Sequence, residues 1–491
     1  MAQQSEELQE LIAQLSLLES GTYQREQQNE LTGTPIFTKP VLAYATQTTQ
    51  LQSFSQYGLL AGDADLLDEM ARQDRDLSEL PVDRDPRVFF NISAPSSAFI
   101  CGSQGSGKSH TLSCLLENCL LKSDADQMNK LKSPLAGLVF HYDPFISDLK
   151  GTPCEAAHLC SSEKISVRVL CSPSNIQTMK RTYSNMKSVT VEPLMINESH
   201  LNTKRMLDLM AVSQEERMPL YLHEITRILR GMRVVQQLIG GSFKYATFKK
   251  EVDRSPMTDA QKAPLTQRLD TLESFMPKSQ TTIGATKKAV GGNDWSIKPG
   301  SLIIVDLSCP CITSEAACTL FNMCLSLFLE QETSTGRVVA LDEAHKYMNA
   351  GSEASTLTSN LLSSIRLQRH LGTRVFISTQ EPSISPKLLD LCSITVVHRF
   401  TSPDWLSCLR LHLAALKDDN GMKAVFSQII RLRVGEALLF APSAVVGVKS
   451  EAGEAGVARI ELKKLGTEYM QVKIRNRVTH DGGKSVMAIG S

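Results

Sequence analysis

The chain contains no apolar run approaching the ~18 residues of a membrane-spanning helix. Its first residues, Met1-Ala2-Gln3-Gln4-Ser5-Glu6-Glu7, lack the basic stretch and apolar core of a secretory signal. Net charge is absent too, because 52 basic residues balance 52 acidic ones. Cysteine is plentiful, at twelve residues, but metal-binding spacing is missing. Cys309 and Cys311 form a C-x-C with Cys318 and Cys324 downstream. There are not two well-spaced pairs and no histidine lies nearby, so no zinc site is expected there. Cys101, Cys114, Cys119 and Cys324 fall inside apolar stretches, which suits reduced thiols and an intracellular setting, cytoplasmic or nuclear. Homeodomain-like, zinc-finger and RNA-recognition signatures are also missing, so sequence-specific reading of bases is not supported.

What is present reads as globular: 491 residues, 42% hydrophobic and 21% charged, room for about two or three domains. The charge is unevenly spread. Residues 1–90 hold fifteen acids against six bases, a balance of −9, which leaves +9 for the remainder. A basic body behind an acidic leader fits a polyanionic partner as well as an ordinary solvated surface. Gln, Glu and Ser dominate residues 1–85, and one amphipathic stretch (Leu8, Leu11, Ile12, Leu15) has helical spacing. That reads as a polar, partly disordered region, with a partner-binding or self-associating helix followed by a mostly flexible linker.

The strand-like run Ser97-Ala98-Phe99-Ile100-Cys101 leads directly into Gly102-Ser103-Gln104-Gly105-Ser106-Gly107-Lys108-Ser109, followed by His110. The octet is G-x-x-x-x-G-K-S, the phosphate-binding P-loop or Walker A motif. Glycines let backbone N–H groups approach a polyphosphate closely, because they lack a Cβ and tolerate unusual φ/ψ. Lys108 would reach the β- and γ-phosphates, and the Ser109 hydroxyl would ligate Mg²⁺. Apolar residues at Leu112, Leu115, Leu116, Cys119 and Leu120 mark a helical face. Strand, loop and helix N-terminus thus follow in the order anion binding requires.

Further apolar runs alternate with helical patterns: 135–143, 165–170, 302–306, 337–342, 374–378 and 394–398. The run at 165–170 alternates, as a strand nearer a sheet edge would. Residues 200–280 lose strand character and read as a helical insertion, followed by an exposed loop at Ile283–Asn293. The expected fold class is α/β, a mostly parallel sheet between helices, with a short β-rich C-terminal extension. The ATPase domain is placed at 86–445, with its insertion at about 200–290, and a basic tail at 446–491. In that tail Lys463, Lys464, Lys473, Arg475, Arg477 and Lys484 outnumber Glu461, Glu468 and Asp481. They suit phosphate contact, a neighbour's nucleotide site or a solvated strand.

Hydrolysis needs more than a P-loop. Val338-Val339-Ala340-Leu341-Asp342-Glu343 ends an apolar strand in two acids. Asp342 would hold the Mg²⁺ shell, as a Walker B acid does, and Glu343 would polarise the attacking water. Asp306 is the rival acid, also at a strand end, but Leu307-Ser308 follow it. Ser378-Thr379-Gln380 ends another apolar run. Gln380, on a strand beside the P-loop strand, could touch both γ-phosphate and water; otherwise it caps the next helix.

Together, the P-loop, Asp143-Pro144, Ile303-Ile304-Val305-Asp306-Leu307-Ser308, Asp342-Glu343-Ala344-His345 and Ser378-Thr379-Gln380-Glu381-Pro382 resemble the HerA–FtsK branch of P-loop ATPases, within the AAA+/ASCE class. The resemblance covers roughly residues 90–445. It implies ATP and Mg²⁺ as ligands, a hexameric ring of identical chains, and pumping of DNA or peptides through a central channel. It also implies a neighbour's arginine completing each site. Arg366 and Arg369, three apart on one helical face, are the first candidates; Arg374, Arg399, Arg475 and Arg477 are the others. Asp342-Glu343-Ala344-His345 also invites a helicase reading, but a second motor domain with its Ser-Ala-Thr motif is missing, so His345 is read as an ordinary helix residue. No guanine-reading Asn-Lys-x-Asp occurs, which favours ATP over GTP. A nucleotide-dependent switch or scaffold with slow turnover, meeting a protein partner through the N-terminal helix, is the alternative class.

Overall fold

The apolar runs at the centre of the chain become adjacent strands of one sheet. The structure is a computed structural model that describes residues 11, 13–15, 23–47, 54–73, 80–123, 129–149, 151–210, 220–281, 291–349, 351–413, 416, 419–452 and 458–482. Its strands are β1 (Ile36–Thr38), β2 (Tyr57–Asp63), β3 (Arg87–Asn91), β4 (Ser97–Cys101), β5 (Asn129–Lys130), β6 (Ala136–His141), β7 (Ser166–Cys171), β8 (Val189–Pro193), β9 (Ser301–Asp306), β10 (Arg337–Leu341), β11 (Thr373–Thr379), β12 (Ile394–Val397), β13 (Glu436–Phe440), β14 (Val445–Ala452), β15 (Ala458–Lys464) and β16 (Met470–Ile474).

They form a sixteen-stranded sheet in the order β15-β14-β1-β3-β2-β16-β13-β12-β4-β11-β10-β6-β9-β7-β8, with β5 beside β2. From β12 to β8 every neighbouring pair is parallel. From β12 the other way the pairs are antiparallel, except β1 with β14. Burial explains the parallel half. Every residue of β4, β6, β10, β11 and β12 is buried, so these strands read as continuous apolar runs rather than alternating ones.

Both faces of the sheet carry a core, and alternate residues feed each. Ala98, Ile100, Val139, Val338 and Ala340 pack with Leu112, Leu115 and Leu116 of the helix Lys108–Leu120. Phe99, Leu138, Phe140, Val339 and Leu341 pack with the helices Ser314–Leu329 and Ser352–Arg366. The helical insertion is present as Thr203–Leu209, Leu220–Ile239, Tyr245–Asp253, Asp259–Ser274 and Lys278–Thr281. Tyr245, Phe248, Leu265, Leu269 and Phe275 join the second core, so the insertion is built onto that face. Of the loop expected at 283–293, residues 283–290 lie outside the described set. Asn293 is tied down, exchanging bonds with Met195 and donating to the Pro193 carbonyl.

Two sequence expectations are corrected. The supposed linker before residue 85 contributes β1 and β2 to the sheet and the helices Tyr23–Gly33, Lys39–Gln47 and Ala64–Gln73. Average polarity hid a small aromatic core. Phe37 stacks on Phe54 at 3.8 Å between ring centroids and on Phe89 at 5.6 Å, and Tyr57 meets both Phe37 and Phe89 edge-on. Aromatic pairs of this kind add stability beyond their buried area. In the amphipathic stretch, Leu11 and Leu15 are helical and exposed, whereas Leu8 and Ile12 lie outside the described residues. The C-terminal extension is β-rich as expected, and it is part of the main sheet: β14 and β15 form its outer edge and β16 sits between β13 and β2. Lys464 pairs with Glu30, while Gly483 and Lys484 fall outside the described residues.

Arg475 and Arg477 are buried around one carboxylate, and so are not free to meet phosphate. Glu117, on the helix that follows the P-loop, is fully buried. It accepts from Arg475 Nη1 (2.6 Å), Val478 N (3.1 Å), Thr479 N (2.9 Å) and Thr479 Oγ1 (2.5 Å). Arg475 also donates to the carbonyls of Leu59 and Cys114, and Arg477 pairs with Glu155. One acid therefore ties the C-terminal segment, β2 and the P-loop helix together. Burial alone would raise the Glu117 carboxyl, but Arg475 and then Thr479 outweigh it and hold it below the usual range. A folded value below the unfolded one gives stability that is present above the ordinary carboxyl range and is lost as pH falls through the folded value. Glu117→Ala strands buried donors and is expected to lower stability by about 3–5 kcal/mol in equilibrium denaturation. Glu117→Gln should flatten the acid limb of the pH–stability profile.

Candidate nucleotide site

Every parallel strand ends at the same edge of the sheet, and the ends of β12, β4, β11 and β10 lie side by side there. Ligands of open α/β sheets bind at this carboxyl edge. From β4 the chain enters the P-loop with Gly102, Gly105 and Gly107 at φ of 151°, 71° and 113°. Gly102 has no alternative, because a Cβ there would lie 2.7 Å from His398 Cβ and 2.8 Å from Ser106 Oγ. The loop closes on the Ser103 carbonyl, which accepts from Ser106 N (3.3 Å), Ser106 Oγ (2.7 Å) and Lys108 Nζ (3.0 Å). Ser103 N and Oγ in turn donate to the Arg399 carbonyl at 2.9 and 2.8 Å. Gln104 and Gly105 form the exposed tip, and Ser109 is half-buried in the first turn of the helix.

Asp342 follows β10 and is buried, its backbone N donating to the Phe140 carbonyl of β6. Its Oδ2 lies 3.3 Å from His141 Nδ1, while Oδ1 is buried with no partner among the described residues. A buried carboxylate oxygen without a donor is costly, and a hard cation would satisfy it. Glu343 is the only non-glycine residue at positive φ among the described residues, at φ 48° and ψ 45°. A left-handed glutamate costs about 1–2 kcal/mol, and such strain concentrates at working sites. Its Oε2 accepts from Gln380 Nε2 at 3.3 Å and lies 3.4 Å from His345 Nδ1. Gln380 N donates to the same His345 nitrogen at 3.3 Å.

β11 explains this meeting. It pairs with β4 on one side and β10 on the other, with Thr379 opposite Cys101 and Ile377 opposite Leu341. Gln380 therefore emerges between the P-loop and the acidic pair. Burial pushes the Lys108 ammonium below the ordinary lysine range, and Glu343 and then Asp342 oppose that shift. The lysine and the two acids, far apart in sequence, share one electrostatic environment. Together these groups offer an anion cradle, a buried cation at its floor and a carboxylate pair facing it, the parts that phosphoryl transfer to water uses.

Other expectations resolve differently. Asp306 ends β9, beyond β6 from Asp342; it accepts from Tyr183 Oη at 2.5 Å and from Ser308 N at 3.1 Å, which makes it a structural acid. Arg366 and Arg369 are exposed, but the helix breaks at Leu367 between them. They precede β11, so they lie at the opposite edge of the sheet from Gln380 in the same chain. Arg374 is buried and donates to the carbonyls of Ile92, Ser93 and Gly372. Arg399 is exposed beside the P-loop. His110 turns to the C-terminal segment, with Nε2 on the Arg475 carbonyl at 2.8 Å and Nδ1 3.4 Å from Asp481. His345, read from sequence as an ordinary helix residue, accepts from Gln380 N and lies beside Glu343.

His398 was not singled out from sequence at all. It lies fully buried beneath the P-loop, Nδ1 on the Glu436 carbonyl at 2.9 Å and Nε2 on Thr111 Oγ1 at 2.8 Å. A carbonyl only accepts, so Nδ1 carries the proton and Nε2 accepts from Thr111. Burial lowers the imidazole to about 4, against the opposing bond to the Glu436 carbonyl. No local pattern marks it; only the β4–β12 pairing puts it there.

Two measurements check this geometry. Gly102→Ala is expected to lower stability by about 1–3 kcal/mol and to abolish nucleotide retention, read by thermal melting and fluorescent-nucleotide binding. His398 has a folded pKa below its unfolded value, so the unfolded chain binds more protons and stability falls as pH drops from about 6.5 toward 4. His398→Gln, which keeps a donor and an acceptor but does not titrate, should lose less of its melting temperature over that range.

No family model matches the chain, and no curated protein matches it. Solved structures do. VirB4 of Thermoanaerobacter pseudethanolicus is 12% identical over 86% of this chain and 96% of that one, with a TM-score of 0.42. The bacterial conjugative coupling protein TrwBΔN70 is 12% identical over 87% and 94%, also at 0.42. The genome packaging NTPase B204 from Sulfolobus turreted icosahedral virus 2, in complex with ATP-γS, is 9% identical over 75% and 98%, at 0.26. These likenesses are distant, and the fold assignment stands on the chain's own P-loop, strand order and registers. By those features this chain has the α/β fold of a P-loop NTPase.

Proposed function

We propose that the chain is a Mg²⁺-dependent ATPase that works as a ring of identical subunits and moves a polymer, with DNA the first candidate. The observation that carries the reading is Glu343. It stands in a left-handed conformation, accepts from Gln380 Nε2, lies beside His345, and its charge opposes the downward shift of the P-loop lysine. The P-loop residues Gly102 to Ser109, with His110 behind them, would bind the polyphosphate through backbone N–H groups and Lys108. Ser109 and Asp342 would hold Mg²⁺, which when bound neutralises charge on the phosphate oxygens. Glu343 would accept a proton from the attacking water, and Gln380 would orient that water and report the state of the nucleotide. Arg366 or Arg369, exposed and remote from the site of its own chain, would serve a neighbour's. Ring assembly and DNA movement rest on the sequence's resemblance to the HerA–FtsK branch.

Two surface features favour a second reading, a nucleotide-dependent switch with a protein partner. The helix Leu220–Ile239 ends in exposed apolar residues, Leu238 at 79% and Ile239 at 80% exposure, beside Val234 and Val235. A cleft of about 1230 Å³ between Asp259–Ser274 and the ends of β7 and β9 carries Asp259, Asp270, Glu315 and Glu353 against Lys262 and Arg268. That balance repels a phosphodiester backbone.

Steady-state turnover separates the readings: a translocase is stimulated by double- or single-stranded DNA and sediments as a ring, whereas a switch turns over at a rate indifferent to DNA. Glu343→Gln should keep ATP affinity while turnover falls by at least about a hundredfold. Lys108→Ala should weaken ATP binding itself by at least tenfold. Wild-type turnover in Glu343→Gln would remove the catalytic assignment.

A further inference from the structure

The geometry points to a second cation site, thiophilic rather than Mg²⁺-like, formed by His141, Cys154 and Asp342. These residues come from separate parts of the chain. His141 ends β6 and Asp342 follows β10, and the β6–β10 register of Phe140 opposite Leu341 brings their side chains together. Cys154 caps a short 3₁₀ turn, Glu155–Ser161. It is held there by Tyr183, whose hydroxyl accepts from Cys154 N at 2.9 Å and donates to Asp306.

All three side chains are buried, and one ligand atom from each lies within 4.8 Å of the others. His141 Nδ1 is 3.3 Å and Cys154 Sγ 3.8 Å from the same Asp342 oxygen. Around a tetrahedral zinc with ordinary bond lengths, the nitrogen–oxygen and sulfur–oxygen edges are about 3.3 and 3.5 Å. Two of the three gaps therefore already approximate the edges of a zinc site, and the third, from nitrogen to sulfur, is within 4.8 Å. His141 Nε2 and Asp342 Oδ1 have no hydrogen-bond partners among the described residues. Neither the ring nor the carboxylate gives up a second bond when it turns onto an ion.

Donor chemistry selects the metal. An imidazole and a thiolate prefer zinc and its late first-row neighbours, while Mg²⁺ takes oxygen ligands at short, octahedral distances. Three protein ligands leave a fourth position for water. On binding, the Cys154 thiol proton passes to solvent and the sulfur joins the ion, while the proton that His141 Nδ1 gives to Asp342 leaves that nitrogen, the neutral ring keeping its one proton on Nε2. The ion then occupies the carboxylate assigned above to the Mg²⁺ shell, so a zinc-loaded chain is held off from Mg²⁺-dependent turnover; that consequence rests on the proposed ATPase reading, whereas binding itself does not.

Cobalt(II) reports the site in the nucleotide-free full chain, because a thiolate ligand gives a sulfur-to-cobalt charge-transfer band. The wild type should show that band at one equivalent and should take Zn²⁺ from a chromophoric chelator. Cys154→Ser should lose the band and weaken Zn²⁺ at least tenfold, and His141→Gln should weaken Zn²⁺ by a similar factor, deciding the matter if the serine variant does not fold. Cys311→Ser, at an exposed cysteine, should keep both properties. Lys108→Ala should also keep both, so that a failed nucleotide reading leaves the metal reading tested separately. Zn²⁺ should suppress wild-type turnover reversibly on chelation and spare Cys154→Ser. No band in the wild type, an undiminished band in Cys154→Ser, or equal loss in Cys311→Ser would overturn the proposal.

Discussion

Hydrogen bonding of β11 between β4 and β10 is the constraint on which the site depends. Parallel pairing in register delivers three strand ends to one edge, and each end carries a different chemical part: a glycine turn, a glutamine and an acidic pair. None of those parts is close to another in sequence. Were β11 at the rim of the sheet, Gln380 would not meet Glu343 beside the P-loop. The strain at Glu343 is tolerated because β10 is buried on both faces and its neighbours fix where it stops.

Around that core the antiparallel half of the sheet holds the P-loop from behind. β12 places His398 under the loop, and the Glu436 carbonyl at the start of β13 accepts a hydrogen bond from its Nδ1, so the loop rests on a neutral, fully bonded imidazole. The C-terminal segment grips the same helix further along through Glu117, and His110 meets the Arg475 carbonyl near the helix start. Movement of the P-loop helix would therefore be felt in the segment after β16, and that segment lies beside β2 near the N-terminus. β2 and the segment after β16 are thus tied to the P-loop helix by buried polar contacts rather than by proximity alone.

The acidic strand end is also where two metal chemistries meet. Asp342 presents one oxygen without a partner and shares the other with His141 and Cys154. A hard cation is drawn to the first and a soft one to the second. In the proposed readings, discrimination between them would come from the side chains behind the carboxylate, and the same residue would support turnover or be withdrawn from it.

By itself the sequence determined the P-loop, the parallel core strands and the helical insertion, because these rest on local signals: glycine spacing, continuous apolar runs and helical periodicity. It also named Asp342 and Gln380 from their positions at strand ends. It misjudged residues 1–85, where short strands such as Ile36–Thr38 carry too few residues to stand out from polar surroundings and are stabilised by partners from elsewhere, Phe54 and Phe89 among them. It offered Arg475 and Arg477 to phosphate, when a buried Glu117 had already claimed them. Tertiary structure alone decided that His345 lies beside Glu343 and Gln380, that His398 supports the loop, and that His141, Cys154 and Asp342 converge. Those are contacts between residues distant along the chain, created by pairing and burial, and no local pattern encodes them.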